Sequence, residues 1–199
     1  MASSADNILH QTQLFTNFTA KQKLIIIAAI EVFAEKGYAA ASTKEIALRA
    51  GVAEGNIYSR FTNKRGLLNA IIAPVLSQMF PDELDDFIKS RLHQDYVSLE
   101  TFLTVLIKDR VTFLKDNAQI IKIVLSELLN DTQVRAQVVD GFTTQYWESM
   151  THDLNAMVKR GLIVDWPLED ILRTMWSMTG GLILGFLYFD QPLDANTVN

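Results

Sequence analysis

Three histidines, one run of acids and one stretch that mixes glycine, asparagine, tyrosine and cations are the residues of this 199-residue chain whose types and spacing could do chemistry. His10, His93 and His152 stand far apart with no pair at ligand spacing, so no metal site is expected. Glu148 and His152 share a helix face, yet no second such pair completes a di-metal centre. Asp82, Glu83, Asp85 and Asp86 read as the solvated start of a helix. With no cysteine there is neither a thiolate site nor a disulfide, a composition that suits a reducing cytoplasm. No glycine-rich phosphate loop or nucleophile motif occurs, so neither catalysis nor a cofactor is expected. The remaining chemistry lies in GVAEGNIYSRFTNKRGLLNAI, Gly51–Ile71. Its glycine, asparagine, tyrosine and paired cations supply hydrogen bonds and positive charge, the means of holding a polyanion.

Charge is distributed to match. The chain carries −5 overall, but Thr19–Val75 holds eight cations against four acids, and from Leu76 onward ten cations face eighteen acids. A basic module beside an acidic body is the footprint of a protein that meets nucleic acid with one small part. The first 18 residues have no Lys or Arg and no continuous apolar run, so they lack the parts of a secretion signal and read as a loose polar arm.

The elements that must position Gly51–Ile71 are helices. Ile26, Ala29, Ile30 and Phe33 face inward on a helix over Lys23–Lys36 that Gly37 closes. Ser42 and Glu45 have the spacing of a capping box, so a short helix begins there with Ile46 and Ala47 inward. Gly51 supplies a turn, and a second short helix follows from about Ala53 to Phe61. Two short helices joined by a glycine-bearing turn on a preceding helix describe a helix-turn-helix, whose second helix enters the major groove of double-stranded DNA.

The segment AAIEVFAEKGYAAASTKEIALRAGVAEGNIYSRFTNKRGLLNAI resembles the DNA-binding domain of the TetR family of bacterial transcriptional regulators. The resemblance rests on FAEKGY at the end of the first helix, the IA..AGV turn, Ile57-Tyr58…Phe61, and the lysine that opens the fourth helix. It implies that Ser42, Tyr58 and Lys64 bond phosphates and that Thr43, Lys44, Ala53, Glu54, Gly55 and Asn56 approach base edges. Arg60, where the family often has histidine, would keep or strengthen a phosphate contact. Glu54 is acidic on a face turned to DNA, and either accepts from a cytosine amino group or points away.

Beyond residue 66 helical periodicity continues, with helices over Leu99–Leu114, Ile120–Leu128, Asp131–Arg160 and Leu168–Asp190, and an all-α chain of about nine helices results. The expected organisation is an arm (1–18), a helix-turn-helix domain (19–66) and a regulatory and dimerisation domain (67–199). Aromatic and methionine positions of the body are the candidate lining of a site for a small, largely apolar effector: Phe102, Phe113, Phe142, Tyr146, Trp147, Met150, Met175 and Met178. The uncharged segment Thr174–Phe189 is too short to span a membrane, and holds Gly181 and Gly185 at GxxxG spacing. With Met178, Leu182, Leu184 and Leu187 it is the candidate face of a homodimer, since the resemblance implies pairing through C-terminal helices. Two functions fit: a dimeric repressor released from its operator by an effector, or an effector-independent DNA-binding protein acting through a protein partner.

Overall fold

The computed structural model describes residues 13–189 and 191–192, less the side chains of 13 and 140–145. Among these residues there are nine α-helices and no strand: α1 (Ala20–Ala40), α2 (Thr43–Arg49), α3 (Gly55–Phe61), α4 (Lys64–Pro74), α5 (Phe80–Arg91), α6 (Leu99–Asp116), α7 (Ala118–Asn130), α8 (Thr132–Lys159) and α9 (Leu168–Tyr188). None is long and apolar enough to cross a membrane.

Local chemistry sets most of the boundaries. Thr19 caps α1 in a reciprocal capping box with Gln22. Gly37, at φ 78° and ψ 160°, breaks the α1 ladder where the apolar pattern stops, and Gly161 ends α8 at φ 68°. Pro74 lacks an N–H, and a π-helical turn over Val75–Met79 follows it.

Packing divides the chain into two compact units, one of Met1–Asp82 with Asp116–Val139 and one of Glu83–Lys115 with Asp140–Asn199. The unit that contains the helix-turn-helix is thus larger than residues 19–66. In this first unit α1 buries Ile25, Ile26, Ala29, Ile30 and Phe33 against α2, α4 and α7. Ile46 of α2, Ile57 and Phe61 of α3, Leu67 and Ile71 of α4, and Ile120 and Val124 of α7 complete the core. The arm expected over 1–18 is fixed at its end: Phe15 is buried and Phe18 stacks on Phe61 at 6.2 Å between ring centroids. Residues 1–12, His10 included, lie outside the described residues.

The second unit is built on Leu84, Phe87, Ile88, Leu92, Phe102, Leu106, Met150, Leu154, Met157 and Leu172, with Met175 and Tyr146 packed against them.

Candidate nucleic-acid interface

Helix α2 starts as its sequence dictates, with the Ser42 side chain accepting the Glu45 N–H at 3.2 Å. Only this half of the capping box forms, because the Glu45 carboxylate pairs with Lys36 at 2.7 Å. After α2 the chain reverses at Gly51, φ 66°, where the Val52 N–H reaches the Ala47 carbonyl and the Gly51 N–H reaches Leu48. That turn seats α3 with Ile57 and Phe61 inward.

The outer surface then consists of Ser42, Lys44, Ala53, Gly55, Tyr58 and Arg60, all exposed, with Asn56 half-buried beside them. Gly55 has an ordinary φ, and a Cβ built there meets nothing within 4 Å, so neither backbone strain nor the packing of this chain demands glycine. Gly66 is the opposite case: a Cβ there would lie 2.0 Å from the Phe61 carbonyl oxygen, so the α3–α4 turn admits no other residue. Sequence reading missed Gly66, whose only signal is that it follows an Asn63 that caps α4 through the Gly66 N–H.

Two residues assigned to base edges turn inward. Thr43 is buried, its hydroxyl donates to Glu54 Oε1 at 2.6 Å, and it lies 3.0 Å from the Tyr58 hydroxyl. The Tyr58 hydroxyl itself reaches the same carboxylate oxygen at 3.5 Å. This triad ties α2 to α3 and gives the Glu54 carboxylate hydroxyl partners within the chain. Asn56 uses its Nδ2 on the Ala53 carbonyl at 3.0 Å, leaving its amide oxygen available.

Lys64 also differs from the phosphate role that the resemblance implies. Its ammonium donates to the carbonyls of Tyr38 (2.8 Å), Ala39 (3.3 Å) and Ala41 (2.9 Å) and sits 4.5 Å from the centre of the Tyr38 ring. It therefore closes the C-terminal end of α1. Arg65, its neighbour, pairs with Glu127 at 2.6 Å and with Asp131, fastening α4 to α7 and the start of α8. The Asp131 carboxyl is held below the usual carboxylate range by the N–H groups of Val134 and Gln133 and by Arg65. Arg49 likewise pairs with Glu35 at 2.7 Å, and its hydrogen bond lowers the Glu35 pKa. Of the eight cations in Thr19–Val75, Lys36, Arg49, Lys64 and Arg65 are thus spoken for. Lys21, Lys23 and Lys44 have no ion pair among the described residues, and the Arg60 guanidinium lies 5.7 Å from the Phe18 ring. The positive surface without internal ion pairs is narrower than the charge count suggests.

In the second unit the effector candidates separate. Phe102 and Met150 are in the core, Met175 packs against it, and Phe113 lies half-buried with the Arg110 guanidinium 5.3 Å from its ring. Tyr146 stacks on Phe87 at 6.0 Å and meets the edge of Trp176 at 5.7 Å, and burial pushes its hydroxyl up to about 12. Trp147 and Met178 are exposed and line no interior, and Phe142 lies outside the described side chains. On α9, Met178, Gly181 and Leu184 form an outward stripe that continues to Tyr188. Leu182 is half-buried, while Gly185 and Leu187 point inward, so these last two do not belong to an outer face.

The histidines do not stand alone as their spacing suggests. The bend after α5 brings His93 to His152 and Asp153 on α8. Sequence patterns cannot register a pair joined only by the fold.

Residues 25–71 match the family model described as bacterial regulatory proteins, tetR family. The uncharacterised HTH-type transcriptional regulator YvdT of Bacillus subtilis is 41% identical over 88 residues, which span 44% of this chain and 41% of that protein. Over nearly the whole chain the likeness is one of fold. A Bacillus subtilis transcriptional regulator FadR, solved in complex with stearoyl-CoA, superposes with a TM-score of 0.59 at 23% identity and covers 88% of this chain and 94% of its own. A Saccharomonospora viridis regulator solved in complex with choline gives 0.63 at 15% identity, covering 89% and 90%.

Proposed function

The chain belongs to the TetR family of bacterial transcriptional regulators, and from that premise we propose that it is a cytoplasmic homodimer that represses from an operator and is released by a small, largely apolar effector. The observation that carries the DNA part is the outer surface of α2 and α3. Ser42, Lys44, Gly55, Asn56, Tyr58 and Arg60 line it, and the hydrogen bonds among Thr43, Glu54 and the Tyr58 hydroxyl brace the two helices. In this reading residues 19–66 read DNA with α3 in the major groove, and residues 67–199 carry the effector site and the dimer face. Pairing through α9 is supported by the exposed apolar stripe of Met178, Leu184 and Tyr188, with Gly181 leaving room for a neighbouring backbone. An effector acts only through its different affinities for the DNA-competent and incompetent states, and the apolar interior around Phe102, Tyr146, Met150 and Met175 favours a hydrophobic one. Stearoyl-CoA and choline, present in complexes of the same fold, are the first compounds to try.

Selection of bound fragments from a random DNA pool, repeated with each compound, tests the proposal. A palindromic sequence enriched by the protein and lost on adding an effector is the expected outcome. Failure to enrich any sequence refutes the DNA reading. Enrichment indifferent to every effector favours the alternative, a DNA-binding protein that works through a protein partner.

A further inference from the structure

We propose that His93, His152 and Asp153 form a binding site for a zinc-class divalent metal ion, with a coordination position left open. The site lies wholly within the second unit, and neither the inference nor its test depends on the DNA-binding reading.

Three donor atoms converge there. His93 Nδ1 and His152 Nδ1 are 3.2 Å apart, and both face Asp153 Oδ1, at 3.0 and 3.1 Å. In a tetrahedral zinc site, bonds of about 2.0–2.1 Å place neighbouring donors about 3.3 Å apart. The observed triangle is close to one face of that tetrahedron, and an ion bonded equally to its corners would sit roughly 1 Å from their plane. Two imidazoles and one carboxylate are the donor set of zinc and its transition-metal neighbours, whereas magnesium and calcium require more oxygen.

Protons cannot satisfy the same triangle. The carboxylate oxygen only accepts, so each imidazole must donate to it through Nδ1–H, which sets two N–H groups against each other across 3.2 Å. If one Nδ1 instead accepts from the other ring, its lone pair faces the carboxylate lone pairs. Every tautomer leaves one of the three contacts repulsive. A cation is attracted by all three lone pairs at once.

The surroundings preset the cluster. Asp153 is 7% exposed, and a buried carboxylate requires a compensating partner. Its second oxygen accepts the His93 N–H at 2.8 Å, which holds that residue in the left-handed region at φ 57° and turns the ring toward Oδ1. The rings of His93 and His152 meet nearly edge-on, at 78°, and both are exposed enough for an ion to enter. Bound metal would link the segment after α5 to the C-terminal half of α8.

The test uses the full chain, freed of any histidine tag and stripped with a chelator, with Zn2+ and Co2+ as the probes. One ion per chain is expected at micromolar metal, with visible Co2+ bands of low-symmetry coordination and a Zn2+-dependent rise in the thermal midpoint. His152→Ala removes an exposed donor without opening the core, and should lower affinity by at least about tenfold and abolish the thermal response. Glu169→Ala, an exposed carboxylate on α9, should bind as the wild type does. Absence of bound metal in the wild type, or unchanged stoichiometry and affinity in His152→Ala, overturns the proposal.

Discussion

Replacing Lys64 by alanine separates two roles for one side chain, because a phosphate contact and an internal clamp fail in different assays. The ammonium donates to three carbonyls at the end of α1 and faces the Tyr38 ring, so the variant removes charged hydrogen bonds and a cation from a helix C-terminus. A charged hydrogen bond contributes about 1.5–3 kcal/mol, a C-terminal cation about 0.3–1 and an exposed cation–π contact about 0.5–1. Lys64 is only half-buried and water replaces part of what is lost, so the net cost is about 2–4 kcal/mol. Urea unfolding should report a lower midpoint with unchanged slope. DNA titrations at several salt concentrations, corrected for the folded fraction, should keep the wild-type salt dependence. A variant of native stability whose salt slope falls by about one would refute the clamp and restore the phosphate contact that the family resemblance implies.

Gly55→Ala should leave the fold intact and raise stability by up to about 1 kcal/mol, because its Cβ enters open space at the start of α3, yet weaken DNA binding by about tenfold; equal affinity by anisotropy would mean that no DNA backbone approaches there. Asp131 and Glu35 have depressed folded pKa values, so their contribution to stability is fully present above the unfolded carboxylate range and is lost as pH falls below about 4 through the folded values. Asp131→Asn should flatten that acid limb of a pH–stability curve measured by urea unfolding. Leu184→Glu places a charge on the outer stripe of α9 and should shift a micromolar sample from dimer to monomer in sedimentation, whereas a wild type that sediments as a monomer removes the basis for this expectation.

The helix-turn-helix was legible in the residues because its signals act over a few positions. Ser42 caps the amide three residues on, Gly51 takes the positive φ that ends α2, and apolar residues at 3.6-residue spacing select the inward faces of α1 and α3. The same period marks α6, α7, α8 and α9 with ends displaced by only a few residues. Which polar group faces outward was decided by tertiary structure. Thr43 meets Glu54 across 11 residues, Lys64 meets Tyr38 across 26, Arg65 meets Glu127 across 62, and His93 meets His152 across 59. A lysine beside DNA and a lysine closing a helix have the same sequence signature, since both follow a polar cap and precede apolar residues. Periodicity fixes the face of a helix on which a side chain stands, but long polar side chains reach several ångströms beyond it, and only the packed neighbours determine which acceptor they find.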